Sequence, residues 1–219
     1  MRQQAPLTFL HSYALTFFSR SHVLTLSRSH ALTLSRFHAL TFCLYLSMTI
    51  SEAISLIRPG IHPTSGRWAD IGAGSGVFTQ ALMQLLDAGT VIALDKSPNA
   101  LYKLKTVPPI KLDIVEEDFN HPLDLPLLDG ILMANALHYA KDHVVVLKNV
   151  LKHLKPGGTF LLIEYDTDIP NDPWVPNPVS LHRFQLLCKE VGLSSPKVIG
   201  LRDSIYQDGQ MYVARAQLT

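Results

Sequence analysis

The chain has 219 residues and a formal net charge of +1, from 19 basic and 18 acidic residues, but these charges are unevenly distributed. No acidic residue precedes Glu52, whereas four arginines lie among the first 47 positions, so 15 basic and 18 acidic residues remain from Met48 onward. A mildly acidic body without a long basic run lacks the electrostatic footprint for nucleic-acid binding. Its single cysteine, Cys188, excludes a disulfide framework or a thiolate metal site there and suits a core thiol in a reducing, cytoplasmic compartment.

The first 47 residues contain an eight-residue repeat, with copies at 19–26, 27–34 and 35–42 that each begin Ser-Arg and carry a histidine at the fourth position. A period of eight matches neither helix nor strand, so we interpret residues 1–47 as a low-complexity arm. The histidines leave a metal-binding tract open. The acid-free start and the apolar stretch 39–50, which is too short to span a bilayer, leave a transit or signal sequence open. We favour a disordered arm or a start assigned too far upstream, with Met48 as the natural first residue.

The predicted elements begin at Thr49, which forms a capping box with Glu52 and starts a helix that ends at Pro59-Gly60. Periodicity and turn residues then predict the remaining elements. In chain order these are a strand over 68–71, a helix over 78–86, a strand over 90–94, a short helix over 98–106, strands over 110–114 and 130–134, a helix over 144–154 stopped by Pro156-Gly157-Gly158, a strand over 159–165, a helix over 181–191, and strands over 197–206 and 210–217.

Alternating strands and helices are typical of a doubly wound parallel sheet. We therefore expect residues 48–219 to form one Rossmann-like α/β domain, with a seven-stranded, mostly parallel sheet and helices on both faces. The last two strands, joined by a tight turn at Asp208-Gly209, must pair antiparallel, which makes the C-terminal strand the antiparallel one. Ligands of such sheets bind beyond the carboxyl ends of the strands, so the residues that follow each strand are the candidates.

A glycine-rich loop follows the first strand, in the run Asp70-Ile71-Gly72-Ala73-Gly74-Ser75-Gly76-Val77. Glycines let the chain turn sharply and let backbone amides approach a ligand, and the next helix offers unpaired N–H groups at its start. A dinucleotide site of the G-x-G-x-x-G type needs its third glycine where Val77 stands. The loop therefore departs from the nicotinamide and flavin pattern.

The run Asp70-x-Gly72-x-Gly74-x-Gly76 resembles the first motif of class I S-adenosylmethionine-dependent methyltransferases. The resemblance extends over residues 50–217 and is carried by four further segments. These are Asp95 at the end of the second strand, Glu117-Asp118-Phe119 after the third, Asp129 to His138 through the fourth, and Leu154 to Thr159 before the fifth.

The resemblance implies S-adenosylmethionine as cofactor and S-adenosylhomocysteine as product. It implies that Asp95 accepts from the ribose hydroxyls, and that Asp118 receives the adenine amino group while Phe119 stacks on the ring. The cofactor-binding residues it implies are Asp70, Gly72, Ala73, Gly74, Gly76, Asp95, Asp118, Phe119 and Asn135. A purely structural turn at the glycines, and solvated carboxylates at Asp95 and Asp118, are the alternatives.

Methyl transfer from a sulfonium is an in-line displacement that depends on aligning two bound molecules and excluding water. It requires no metal, and no metal site is predicted. His138 is a candidate general base because imidazole titrates near neutrality, although an orienting or packing role is equally open. Tyr139 is a candidate to orient the acceptor. Trp174, in the proline-rich loop 169–178, either closes over the acceptor or packs against the sheet.

After the fourth strand stands Asn135-Ala136-Leu137-His138, and not the Asn-Pro-Pro-Tyr-type segment of nucleobase and glutamine methylases. This sequence and the short body favour a small-molecule acceptor, methylated at O, N or C, with neither nucleic acid nor membrane as partner. The oligomeric state stays open. The alternatives are a noncatalytic S-adenosylmethionine-binding module and a nicotinamide-dependent oxidoreductase.

Overall fold

The computed structural model describes residues 48–203 and 209–219, so the predicted arm over 1–47 and Asp208 of the predicted turn lie outside the described residues. The first helix, α1 (Ile50–Ile57), begins at the predicted capping box. Thr49 Oγ1 accepts from the Glu52 N–H at 3.2 Å, and Glu52 Oε2 accepts from the Thr49 N–H at 2.7 Å. The backbone bond from Thr49 lowers the pKa of the Glu52 carboxyl. This prediction is confirmed.

The elements that follow alternate as the sequence predicts. They are β1 (Ser65–Ile71), α2 (Val77–Leu85), β2 (Ala88–Asp95), β3 (Lys111–Glu116), β4 (Leu128–Ala134), α3 (His143–Leu151), β5 (Leu154–Tyr165), α4 (Leu181–Val191), β6 (Lys197–Asp203) and β7 (Gln210–Gln217), with 3-10 helices at Arg58–Gly60, Pro98–Lys103 and Leu137–Tyr139. In the described ranges, none of the helices is long and apolar enough to cross a membrane.

Two predicted helices end three residues earlier than expected. The helix expected over 144–154 ends at Leu151, because Leu154 pairs with Leu128 of the neighbouring strand and already belongs to β5. Pro156-Gly157-Gly158 therefore lies within a strand and does not stop a helix. The helix expected over 98–106 is a 3-10 helix that ends at Lys103.

The seven strands form one sheet in the order β3-β2-β1-β4-β5-β7-β6. Neighbours from β3 to β5 pair in parallel, and β7 pairs antiparallel with both β5 and β6. The predicted fold class is confirmed. The insertion of β7 between β5 and β6 was not predicted, because periodicity carries no information on which strands pair.

Helices cover both faces of the sheet, and each face has its own apolar core. On one face, α1 and α2 pack on inward side chains that include Trp68, which is fully buried. On the other face, α3 and α4 pack around Phe160 and Phe184, whose ring centroids lie 6.1 Å apart. Strand order reverses between β1 and β4, so the chain leaves these two strands toward opposite faces. Ligands of such sheets bind beyond the carboxyl ends of the two strands, and we call this place the crevice.

Candidate functional site

The crevice beyond β1 and β4 brings together most of the residues that the sequence singles out. The glycine-rich loop follows β1, Asp95 ends β2, Asp118 and Phe119 follow β3, and Asn135 follows β4. All of these strands are parallel, so their carboxyl ends meet at one edge of the sheet. The prediction that the strand ends share one site is consistent with this arrangement.

The glycine-rich loop uses the left-handed backbone region at each of its three glycines. Gly72, Gly74 and Gly76 have φ of +76°, +54° and +81°, a region that side chains with a Cβ rarely adopt. The N–H groups of Gly72 and Ala73 donate to the carbonyl of Leu94 at 2.8 and 2.9 Å. The loop is therefore tied to the end of β2 before the chain enters α2.

Two of these glycines differ in what surrounds them. A Cβ on Gly72 would lie 2.6 Å from the Cβ of Ala136 and 3.2 Å from Cε1 of Phe119. A Cβ on Gly74 would meet nothing within 4 Å. Gly72 thus packs against the segments that follow β3 and β4, whereas Gly74 borders free space.

The Asp95 carboxylate lies at the rim of the loop. Its Oδ2 accepts from the Gly74 N–H at 2.8 Å, and its Oδ1 accepts from the Ser97 N–H at 2.9 Å. Each carboxylate oxygen has two lone pairs, so each can accept another donor beside the backbone amide. The side chain is only half-buried and is held in one orientation.

Asp70 lies beneath the loop and is buried. Thr79 Oγ1 of α2 donates to Asp70 Oδ2 at 2.7 Å, which links the end of β1 to the helix across the loop. Burial raises the pKa of Asp70 to about 7, and the negative charge of Asp95 acts in the same direction. The structure thus places Asp70 as a support for the loop, and direct contact with a ligand stays a prediction.

Asp118 forms a local turn with Asn120, whose backbone N–H and side-chain Nδ2 both donate to Asp118 Oδ1, at 2.9 and 2.8 Å. The backbone bond from Asn120 holds the pKa of this carboxyl below its usual range. Phe119 is buried, and its ring edge faces Gly72. Phe119 therefore packs against the loop on the β3 side, and Asp118 directly precedes it in the chain.

Asn135 carries two unusual features at the end of β4. Its φ of +49° makes it the one non-glycine residue with positive φ among those the structure describes. Its Oδ1 is buried and accepts no hydrogen bond from the described residues, while its N–H donates to the Ile163 carbonyl at 2.9 Å. Unusual backbone angles and unpaired buried polar atoms both concentrate at functional sites.

His138 and Glu164 form a buried pair beside Asn135. His138 is 2% exposed and Glu164 is 0% exposed. His138 Nδ1 lies 2.6 Å from Glu164 Oε2, and the backbone N–H of His138 donates to Glu164 Oε1 at 3.2 Å. Sequence reasoning singled out His138 but missed Glu164. The available signal was a charged residue that directly follows the apolar run Leu161-Leu162-Ile163 in a buried strand.

The two aromatic residues predicted at the acceptor side are both exposed. Tyr139 is 49% exposed, with its ring centroid 4.4 Å from that of His138, and burial of its hydroxyl and the nearby Glu164 raise the pKa of Tyr139. Trp174 is 69% exposed, so the alternative that it packs against the sheet is wrong. The proline-rich loop is anchored below it, because the Asn177 N–H donates to the His138 carbonyl at 3.0 Å.

Comparisons with known proteins find methyltransferases similar to part of this chain. Residues 69–160 match a family model described as a methyltransferase domain. The chain is 32% identical over 113 residues to an uncharacterized methyltransferase of Mycobacterium tuberculosis, which covers 51% of this chain and 44% of that protein. It is 28% identical over 93 residues to ribosomal RNA small subunit methyltransferase H of Delftia acidovorans, which covers 41% of this chain and 30% of that protein. The chain thus spans less than half the length of these curated relatives.

Among solved structures, the chain resembles a 1,6-didemethyltoxoflavin-N1-methyltransferase from Burkholderia thailandensis, determined with 1,6-didemethyltoxoflavin and S-adenosylhomocysteine bound. The TM-score is 0.65 at 18% identity, and the match covers 91% of this chain and 93% of the other. At this level of identity the likeness concerns the fold.

Proposed function

We propose that the chain is a class I S-adenosylmethionine-dependent methyltransferase, which transfers a methyl group from this cofactor to a small-molecule acceptor at O, N or C. The methyltransferase-domain match over residues 69–160 and the fold support this proposal. The observation that carries the proposal is the rim formed by Gly74 and Asp95. Free space lies above the glycine, and an oriented carboxylate with unused lone pairs stands next to it.

The residues of the crevice fit the chemistry of this cofactor. Its ribose hydroxyls and amino groups are hydrogen-bond donors, and the crevice offers acceptors. Asp95 has lone pairs to spare, and Asn135 Oδ1 and Glu117 Oε2 are buried without a partner among the described residues. An unpaired buried acceptor costs about 1–3 kcal/mol, which a ligand donor would recover.

We assign the cofactor contacts by position along the edge of the sheet. Asp95 binds the ribose hydroxyls, and the backbone of the loop Gly72-Ala73-Gly74 lines the same region. Asp118 receives the adenine amino group, with Phe119 on the flank of the ring. Asn135 accepts from the amino-acid portion. Asp70 supports the loop through Thr79.

When bound, the cofactor supplies an electrophilic methyl group on a positively charged sulfur. The chain aligns the acceptor and excludes water, since displacement depends on near-attack geometry. The exposed rings of Tyr139 and Trp174 stand on the acceptor side, where they offer apolar surface to an incoming molecule. His138 is the group placed to receive a proton.

A small-molecule acceptor is supported by the charge of the body and by the structural neighbour. Residues 48–219 hold more acidic than basic side chains, which disfavours phosphate-rich partners. The Burkholderia protein was determined with 1,6-didemethyltoxoflavin bound. The Delftia relative acts on ribosomal RNA, as its name states, but the match covers 30% of that protein.

The proposal includes a reducing, cytoplasmic location, supported by Cys188. This thiol is buried and unpaired in the described part of the chain, and burial raises its pKa to about 12. A thiol with so little thiolate is inert, as expected of a core residue that forms no disulfide.

Calorimetric titration of the full chain tests the cofactor site. We expect S-adenosylhomocysteine to bind, and Asp95→Asn to weaken it roughly 10- to 100-fold, since hydrogen bonds to a charged group contribute about 1.5–3 kcal/mol. Asp113→Asn, which changes a partly exposed carboxylate in the middle of β3, is the control and should bind normally. Unchanged affinity in Asp95→Asn contradicts the ribose assignment.

Two further measurements separate the alternatives. A titration with NADH should give no heat, and binding of NADH in place of S-adenosylhomocysteine would favour an oxidoreductase. A screen of small hydroxyl, amine and carbon acceptors, with ribosomal RNA as a separate arm, should release S-adenosylhomocysteine only with a small molecule. Tight cofactor binding without turnover in any arm would favour a noncatalytic binding module.

A further inference from the structure

The buried pair of His138 and Glu164 joins two neighbouring strands at the crevice. His138 lies in the 3-10 helix just after β4, and Glu164 lies near the end of β5, 26 residues away in sequence. One carboxylate oxygen accepts from the backbone N–H of His138, and the other lies within hydrogen-bond distance of the ring Nδ1. Glu164 thus fixes both the position of the segment and the orientation of the imidazole.

The hydrogen bond also determines which ring nitrogen is basic. For an ionised Glu164, which can only accept, the short contact places the proton on His138 Nδ1, which then donates to Glu164 Oε2. The neutral imidazole then presents the lone pair of Nε2. That atom is buried and has no hydrogen-bond partner among the described residues.

An unpaired buried acceptor is rare in natural structures, because burying it without a donor costs free energy. The imidazole that carries this atom belongs to the segment that follows β4, at the edge of the sheet where the glycine-rich loop lies. Ala136, two residues before His138, would touch a Cβ on Gly72 of the glycine-rich loop. Tyr139, directly after His138, is exposed and contacts the imidazole ring. The segment from Ala136 to Tyr139, which contains His138, therefore runs from the glycine-rich loop to an exposed ring.

We propose that the acceptor is an O–H or N–H compound whose proton passes to His138 Nε2, and that Glu164 is the positioning residue for this transfer. The inference rests on the proposed methyl transfer. The acceptor atom uses a lone pair to form its bond to the methyl carbon, and sulfur keeps the electron pair of the broken S–C bond. The X–H electron pair stays on the acceptor atom, and the proton becomes the Nε2–H of an imidazolium.

The charges of the buried pair favour this direction of proton transfer. The proposed transfer starts from a carboxylate at Glu164, a fully buried site, and a neutral imidazole. Afterwards, an imidazolium and a carboxylate form a hydrogen-bonded ion pair with no net charge. A buried single charge is costly and a buried ion pair is less so, so the transfer ends in the less costly arrangement of charges.

Nitrogen-15 NMR of the full chain with S-adenosylhomocysteine tests the tautomer without any acceptor. We expect the His138 ring to carry its proton on Nδ1, with a strongly downfield proton signal, and to lack one on Nε2. The signal should be absent in His138→Gln and present in His153→Gln, a remote histidine that bonds the Leu125 carbonyl. A proton on Nε2 in the wild-type protein overturns the proposal, and this measurement needs no variant at Glu164 to fold.

Glu164→Gln then tests the positioning role, since glutamine keeps the shape but removes the charge. We expect the downfield signal to be lost while S-adenosylhomocysteine binds within about threefold of wild type. Retention of the wild-type Nδ1 tautomer and signal in Glu164→Gln contradicts the role of Glu164. Failure of the wild-type protein to bind S-adenosylhomocysteine counts against the proposed function and is read separately from the tautomer.

Turnover with an acceptor found in the screen completes the test. General-base catalysis contributes roughly 100- to 10,000-fold, so His138→Gln and Glu164→Gln should each lower kcat on that scale while KM changes little. Groups that act as one unit are not additive, so the double variant should match His138→Gln within about threefold. Wild-type kcat in His138→Gln, or a carbon acceptor as the best substrate, overturns the proposal.

Discussion

Alanine substitutions at three glycines separate backbone strain, steric overlap and cofactor contact. Gly72, Gly74 and Gly157 have φ of +76°, +54° and +73°, so alanine is strained at each of them. They differ in their surroundings. A Cβ would collide at Gly72, whereas it would meet nothing within 4 Å at Gly74 or at Gly157, which lies in β5 away from the crevice.

The expected losses follow from these surroundings. A left-handed backbone conformation costs a residue with a Cβ about 1–2 kcal/mol. For Gly157→Ala and Gly74→Ala, this cost is the whole expected loss of unfolding free energy. At Gly72 the new Cβ lies 2.6 Å from that of Ala136. A Cβ cannot rotate away, so the backbone must shift. Overpacking adds about 1–3 kcal/mol, for a total of roughly 2–5 kcal/mol.

Thermal unfolding and calorimetry distinguish the three variants. For a unit of this size, 1 kcal/mol shifts Tm by about 2–4 °C. Gly74→Ala and Gly157→Ala should therefore lose roughly 2–8 °C, and Gly72→Ala should lose clearly more. Gly157→Ala should bind S-adenosylhomocysteine normally, while Gly74→Ala should bind it at least about tenfold more weakly, because its methyl group enters the space assigned to the cofactor.

Two outcomes would count against this reasoning. Equal losses of Tm in Gly72→Ala and Gly157→Ala would show that the crowding at Gly72 relaxes without cost. Equal cofactor affinity in Gly74→Ala and Gly157→Ala would show that the cofactor does not lie over Gly74.

Two further predictions concern Asp70 and Trp174. Burial raises the pKa of Asp70 to about 7, so the folded protein holds that proton more tightly than the unfolded chain. As the pH rises from about 4 to about 7, the wild-type protein should therefore lose on the order of 4 kcal/mol of unfolding free energy relative to Asp70→Asn, with no further loss above about pH 7. Urea unfolding of both proteins at a series of pH values measures this difference. Parallel pH curves for the two proteins would contradict it. Trp174→Ala should leave stability within about 0.5 kcal/mol and cofactor affinity unchanged but raise the acceptor KM roughly tenfold. Leu127→Ala, an exposed apolar residue at the opposite end of the sheet, is the control, and an equal KM in both variants would argue against an acceptor role for the tryptophan.

Features that depend on local interactions could be predicted from the sequence. The capping box of Thr49 and Glu52 closes within four residues, and the structure has both of its hydrogen bonds. The glycine-rich loop adopts positive φ at each glycine, as a sharp turn between strand and helix requires. The alternation of strands and helices likewise predicts a parallel sheet, because each period reflects which face is buried.

Features that depend on pairing between distant segments could not be predicted in this way. The boundary of α3 was misplaced because Leu154 pairs with Leu128, and strand pairing overrides a helical stripe that would otherwise continue. Trp174 lies in a proline-rich loop, and a high proline content does not indicate whether a side chain in the loop is buried or exposed. Only the tertiary structure shows that the Trp174 side chain is exposed.

The sequence by itself determined the fold class and placed Asp70, Asp95 and Asp118 at strand ends. The fold class and these positions follow from the hydrophobic periodicity and from the glycines and prolines that mark turns. The sequence could not distinguish the environments of these acids. The structure buries Asp70 against Thr79 and holds Asp95 at the loop rim. The contact between His138 and Glu164 also follows only from the tertiary structure, because the two residues come together where β4 and β5 lie side by side.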